Sequence, residues 1–152
     1  MDQKTQQQVW QRVLGQPEPP REDLRALELQ ALEAAAVYRK LSEQLPGRSR
    51  QVLGRLYDIQ SEIIACLKGI GQLSGCRGEK LPQIAAPKEP MGKALEKRYH
   101  CARRAAAEYT ARTMDGELGI VYAHLADRSR EQCILLARLL GQLPVPGEVG
   151  SR

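Results

Sequence analysis

The strongest constraint on this chain is a pattern that occurs twice. Ala34-Ala35-Ala36-Val37-Tyr38 returns as Ala105-Ala106-Ala107-Glu108-Tyr109, 109 − 38 = 71 residues later. Gly71-Gln72-Leu73 follows the first tyrosine by 33 residues, and Gly141-Gln142-Leu143 follows the second by 32. Two copies of one unit of about 70 residues are therefore expected, and such a repeat fixes which positions face one another in the fold. The 152 residues suffice for one domain with a real core but not for two of ordinary size.

Around the repeats the apolar residues fall at helical spacing. Leu24, Leu27, Ala31, Ala34, Tyr38, Leu41 and Leu45 form a seam over about 22–44, closed by Pro46-Gly47. Val52, Leu56, Ile59, Ile63, Cys66, Ile70 and Leu73 mark a second helix over about 48–70, and the short Pro-Gly turn makes the pair an antiparallel hairpin. Residues 74–90, interrupted by Gly75, Gly78, Pro82, Pro87 and Pro90, read as a connection long enough to travel the length of a helix. Met91, Leu95, Arg98, Ala102, Ala105 and Tyr109 place a third helix over about 91–113. After Asp115-Gly116, a fourth over about 117–143 carries Leu118, Tyr122, Leu125, Ser129, Gln132, Leu136, Leu139 and Leu143. No stretch reads as a strand.

Two flanking segments complete the expected division. Residues 1–21 hold a short amphipathic helix (Val9, Trp10, Val13, Leu14) and the linker Pro17-Glu18-Pro19-Pro20, and 144–152 form a tail without apolar pattern. A helix that short is marginal alone, so Trp10 is expected to dock on the bundle or on a partner.

Composition narrows the function classes. The net charge of +5 comes from 23 basic and 18 acidic residues interspersed along the helices, which fits solubility better than a nucleic-acid footprint. No apolar run approaches the ~18 residues of a membrane span, no leader pattern opens the chain, and a cytoplasmic location is expected. Cys66, Cys76, Cys101 and Cys133 form neither a C-x-x-C pair nor a disulfide framework, and Cys66 and Cys133 read as small hydrophobes.

Tandem hairpins, a long crossover, a tyrosine in the first and third helices and matching Gly-Gln-Leu endings are features of one group. Over roughly 22–143 the chain resembles the ferritin-like superfamily, and within it the small rubrerythrin-related bundles. The resemblance implies an all-α four-helix bundle of two hairpins joined by a long crossover. It also implies a di-iron centre held by one glutamate from each of two helices and a Glu-x-x-His pair from each of the other two.

In that family the first-type glutamate stands two turns before the inner tyrosine, which here gives Ala31 and Ala102. With the Gly-Gln-Leu endings aligned at 141 − 71 = 70, the second-type pairs fall on Ile59 and Glu62 and on Ser129 and Gln132. Only Glu62 is a carboxylate, and it stands where the family has histidine. Neighbouring acids do not repair the site: Glu33 is about 200° around the helix from Ala31, and no Glu-x-x-His or Asp-x-x-His occurs in the chain.

The sequence therefore implies a bundle without metal ligands, catalytic residues or a cofactor, acting as a structural or interaction protein, with a homodimer as the expected association. Glu62, Ser129, Gln132, Tyr38 and Tyr109 are the candidate polar remnant. Glu62 either bonds to Gln132 or a tyrosine, or lies at the stripe's edge and reaches water. Tyr38 and Tyr109 serve either as core filling or as redox residues beside the former site. Two other functions stay open: a metal protein of iron or oxidative-stress metabolism with an altered site at Glu62, and nucleic-acid binding through Arg98, Arg103 and Arg104.

Overall fold

The computed structural model describes residues 21–73, 82–114 and 116–142. They form four helices, α1 (Arg21–Gln44), α2 (Gly47–Leu73), α3 (Met91–Ala111) and α4 (Leu118–Gln142), and no strand. All four expected helices are present, α2 running three residues past its expected end. The amphipathic segment with Trp10, the proline linker, Cys76, Leu143 and the tail lie outside the described residues.

Local chemistry accounts for the helix ends. Gly47 takes a φ of 64°, a left-handed conformation that glycine adopts without steric cost, and it turns the chain from α1 into α2. Pro90 precedes α3, and its carbonyl accepts the Ala94 amide at 2.9 Å to start the ladder. At the other end of α3 the Arg112 and Thr113 amides return to Tyr109 and Thr110, tightening the last turn. Gly116, at φ 62°, then reverses the chain. The α3–α4 turn folds back so closely that a Cβ on Gly119 would collide with the Thr113 carbonyl, so only glycine fits there.

The buried side chains gather in two clusters that define the ends of the bundle. One holds Leu24 and Leu27 from α1, Ile63, Leu67 and Ile70 from α2, Tyr109 from α3, and Tyr122 and Leu125 from α4. The other holds Val37, Tyr38 and Leu41, Leu53 and Leu56, Ala94 and Leu95, and Leu136 and Leu139. Thus α1 and α4 run one way, and α2 and α3 the other. α1 packs on α2, α3 on α4 and α2 on α4, with a thinner contact between α1 and α3. Because α2 ends where α1 begins and α3 starts at the opposite end, the chain between α2 and α3 joins opposite ends.

The inner line of α2 differs from the expected one. Leu53, Leu56, Gln60, Ile63, Leu67 and Ile70 are buried, whereas Val52 and Cys66 are half-buried and Leu73 is 77% exposed. The two lines share Leu56, Ile63 and Ile70. They differ in which neighbouring stripe completes the seam, and a stripe wide enough to meet two other helices takes in both Ile59 and Gln60. Each fully buried leucine contributes about 1.5–3 kcal/mol of apolar burial, which fixes the rotation of the helix.

Candidate functional site

Burial allows the two hairpins to be matched position by position. On α1 and α3 the spacing of 71 holds: Leu24 and Leu95, Ala31 and Ala102, Tyr38 and Tyr109 are buried pairs. On α2 and α4 the buried positions match at 122 − 53 = 69 rather than 70. Leu53 answers Tyr122, Leu56 answers Leu125, Gln60 answers Ser129, Ile63 answers Gln132, Leu67 answers Leu136 and Ile70 answers Leu139. The Gly-Gln-Leu endings misplace this frame by one residue because they lie at the rim, where Gly71 is buried and Gly141 exposed.

The shift corrects two candidate positions. Ile59 and Glu62 give way to Gln60 and Ile63, while Ala31, Ala102, Ser129 and Gln132 stand. These six residues are all at most 5% exposed and all line one small cleft in the middle of the bundle. Leu27, Ala34, Arg98, Ala105 and Tyr109 complete its wall, and Gln30 and Cys101 stand at its mouth between α1 and α3. The cleft holds about 30 Å³, space for about one water molecule. Four alanines, Ala31, Ala34, Ala102 and Ala105, leave it open.

Its polar groups satisfy one another only in part. The Gln60 amide nitrogen donates to the Gln132 side-chain oxygen across α2 and α4. Arg98, 3% exposed, donates to Glu33 Oε1 at 3.1 Å, and the same carboxylate oxygen lies 3.5 Å from Lys97 Nζ. Glu33 therefore does not simply face outward as its angle from Ala31 implies; its length carries it to Arg98, 28% of its side chain staying in solvent. Ser129 Oγ has no hydrogen-bond partner in the cleft wall.

Glu62 is not part of this layer. Its side chain is 42% exposed, and Oε1 lies 2.9 Å from His124 Nε2 across the surface of α2 and α4. The expected bond from Glu62 to Gln132 or a tyrosine is thus replaced by an edge position and an imidazole partner. The signal for Gln60 was present as the residue between Leu56 and Ile63 that shares their face; its polarity hid it.

Tyr38 is wholly buried and its hydroxyl has no partner among the described residues. Tyr109 stacks on Tyr122 with ring centroids 6.4 Å apart. Burial pushes the Tyr38 phenol far above its ordinary range, against a smaller pull from Arg98. Burial does the same to Tyr109, aided by Tyr122. Both stay neutral phenols. The half-buried thiols of Cys66 and Cys133 are also pushed up by burial, which keeps them from the reactive thiolate form. Cys101 is likewise half-buried, and Arg104 lies 3.8 Å from its sulfur.

A di-metal centre needs carboxylates and imidazoles in this layer, and Ala31, Ala102, Gln60, Ile63, Ser129 and Gln132 supply none. The donor set does not fit such a centre. Among the described residues no three of His, Cys, Asp and Glu converge. Of the arginines considered for nucleic acid, Arg98 is buried and tied to Glu33, while Arg103 and Arg104 are exposed. No helix among the described residues is long and apolar enough to cross a membrane. Comparison with family models, curated proteins and solved structures finds no match.

Proposed function

We propose that the chain is a ferritin-like, rubrerythrin-related bundle whose metal layer has been converted to polar and apolar packing, and that it serves as a non-catalytic structural or interaction protein without a resident cofactor. One observation carries this reading. The six positions that the resemblance and the burial frames assign to ligands meet at one cleft, and none bears a carboxylate or an imidazole. The helix order and directions, with opposite ends joined between α2 and α3, add to it, as does the recurrence of buried positions expected of an internal repeat. A cytoplasmic location and self-association into a homodimer belong to the same proposal.

Protein purified after growth with added iron or manganese tests it. Metal well below one equivalent is expected. Near-stoichiometric iron that is lost in Glu62→Ala or His124→Ala would instead establish the second reading, an altered metal site, which the 2.9 Å Glu62–His124 contact favours. Nucleic-acid binding ranks below both because the basic excess is diffuse and Arg98 is internal. Steeply salt-dependent DNA binding would restore it.

A further inference from the structure

Five large hydrophobic side chains are exposed among the described residues, and the three most exposed share one end of the bundle. Leu73 (77%) closes α2, Met114 (79%) follows α3 and Ile120 (80%) opens α4. Tyr57 and Ile134, at 37% and 57%, lie along the middle of α2 and α4. The end that carries the three is also where α1 begins, since Leu24 packs with Ile70 and Tyr122.

The chain that leads into α1 brings its own apolar face. Val9, Trp10, Val13 and Leu14 share one side at helical spacing, and residues 15–20 connect them to Arg21. Those six residues reach at most about 20 Å, while neighbouring helix axes in a bundle are about 10 Å apart. The whole end face is therefore within reach, and the far end is not. Tethering by so short a linker raises the effective concentration of the segment to about millimolar, which favours it over a second copy of the chain.

We propose that residues 9–14 of this chain cap the α1-start end of the bundle, seating Trp10 against Leu73, Met114 and Ile120. The cap closes the apolar end against water and against other proteins, and it does not depend on whether the central cleft ever held metal. It also gives the tryptophan a task that the repeat does not explain, because Trp10 lies outside both copies.

Trp10 is the sole tryptophan, so its fluorescence reports on this contact alone. In the full chain its emission should be blue-shifted and its quenching by acrylamide several-fold weaker than in a free peptide of residues 1–20. In Leu73→Lys/Ile120→Lys, both should move to the values of the peptide. Far-UV circular dichroism should stay unchanged, because both positions are exposed in the folded bundle. Three results would overturn the cap: peptide-like quenching in the unaltered chain, shielding that survives the double substitution with helicity intact, or shielding that disappears on dilution, which would assign the contact to a second copy.

Discussion

α1 and α3 occupy equivalent places in the two hairpins and bury corresponding positions, but they fill two of them with opposite chemistry. Leu27 and Leu41 on α1 correspond, 71 residues on, to Arg98 and Arg112 on α3. All four are buried, at 9%, 5%, 3% and 8%. The leucines need nothing further. The arginines need partners: Arg98 takes Glu33 from the other hairpin, whereas Arg112 takes Glu108 one turn back at 2.7 Å and lies over the Tyr122 ring. A buried position in this fold thus specifies volume, and the residue placed there decides whether the neighbours must also supply charge. α3 obtains a tie between hairpins at the cost of desolvating a cation.

Making α1 resemble α3 should break the comparison most severely. Leu27 and Arg98 line the same cleft, so Leu27→Arg sets two guanidinium groups side by side with one shared carboxylate. A loss of about 3–5 kcal/mol is expected in urea unfolding, the usual penalty for an uncompensated buried charge. An undiminished midpoint would mean that the new side chain escapes to solvent. The amide pair gives the next effect. Gln132→Leu strands the Gln60 amide and should cost about 1–3 kcal/mol, while Gln60→Leu/Gln132→Leu should recover most of it. The double-mutant cycle reads the coupling directly.

Alkaline pH tests the tyrosines shared by the two helices. Their phenols are held above the ordinary value of 10.0 in the fold. The stabilisation is thus fully present below pH 10 and is lost as pH rises from there toward the folded-state values. Once the unfolded chain ionises, about 1.4 kcal/mol per pH unit should be lost for each fully buried phenol. Phenolate absorbance of Tyr38 should appear only with unfolding. Arg98→Leu, which makes α3 resemble α1, should change stability by less than about 1 kcal/mol, because the lost pairing and the avoided desolvation oppose each other.

The smallest effect lies on the surface between α2 and α4. Arg55 donates to Glu131 at 2.7 and 3.0 Å, and that bond holds the Glu131 carboxyl below its ordinary range. Its stabilisation is present above the unfolded carboxyl value of about 4.3 and is lost as pH falls through the lower folded one. With both groups substantially exposed, Arg55→Ala should remove no more than about 0.5 kcal/mol at neutral pH and nothing at pH 2.

Helix positions and the hairpin turns could be read from apolar spacing and from Pro46-Gly47 and Asp115-Gly116, because both reflect local backbone geometry. The inner faces of α1 and α3 were equally legible, since Ala31, Ala34, Tyr38, Ala102 and Tyr109 are apolar where the helix is buried. α2 was harder to read. Its face is decided by Gln60, a polar residue turned inward by Gln132, 72 positions away, and apolar periodicity contains no record of that partner. Arg98 was legible as internal from its place on the seam, but Glu33 as its partner was not. A helical wheel gives the direction of a Cβ and omits the reach of a long side chain.

The thin contact between α1 and α3 has a mechanical consequence. The hairpins are bound together mainly along α2 and α4, so the bundle resembles a book with its spine on that side and the alanine-lined cleft at the fore-edge. A small parting of the pages would wet Gln60, Ser129 and Gln132 while the spine and each hairpin stay intact. Amide exchange in α1 and α3 would then record an opening that requires far less free energy than unfolding the whole chain.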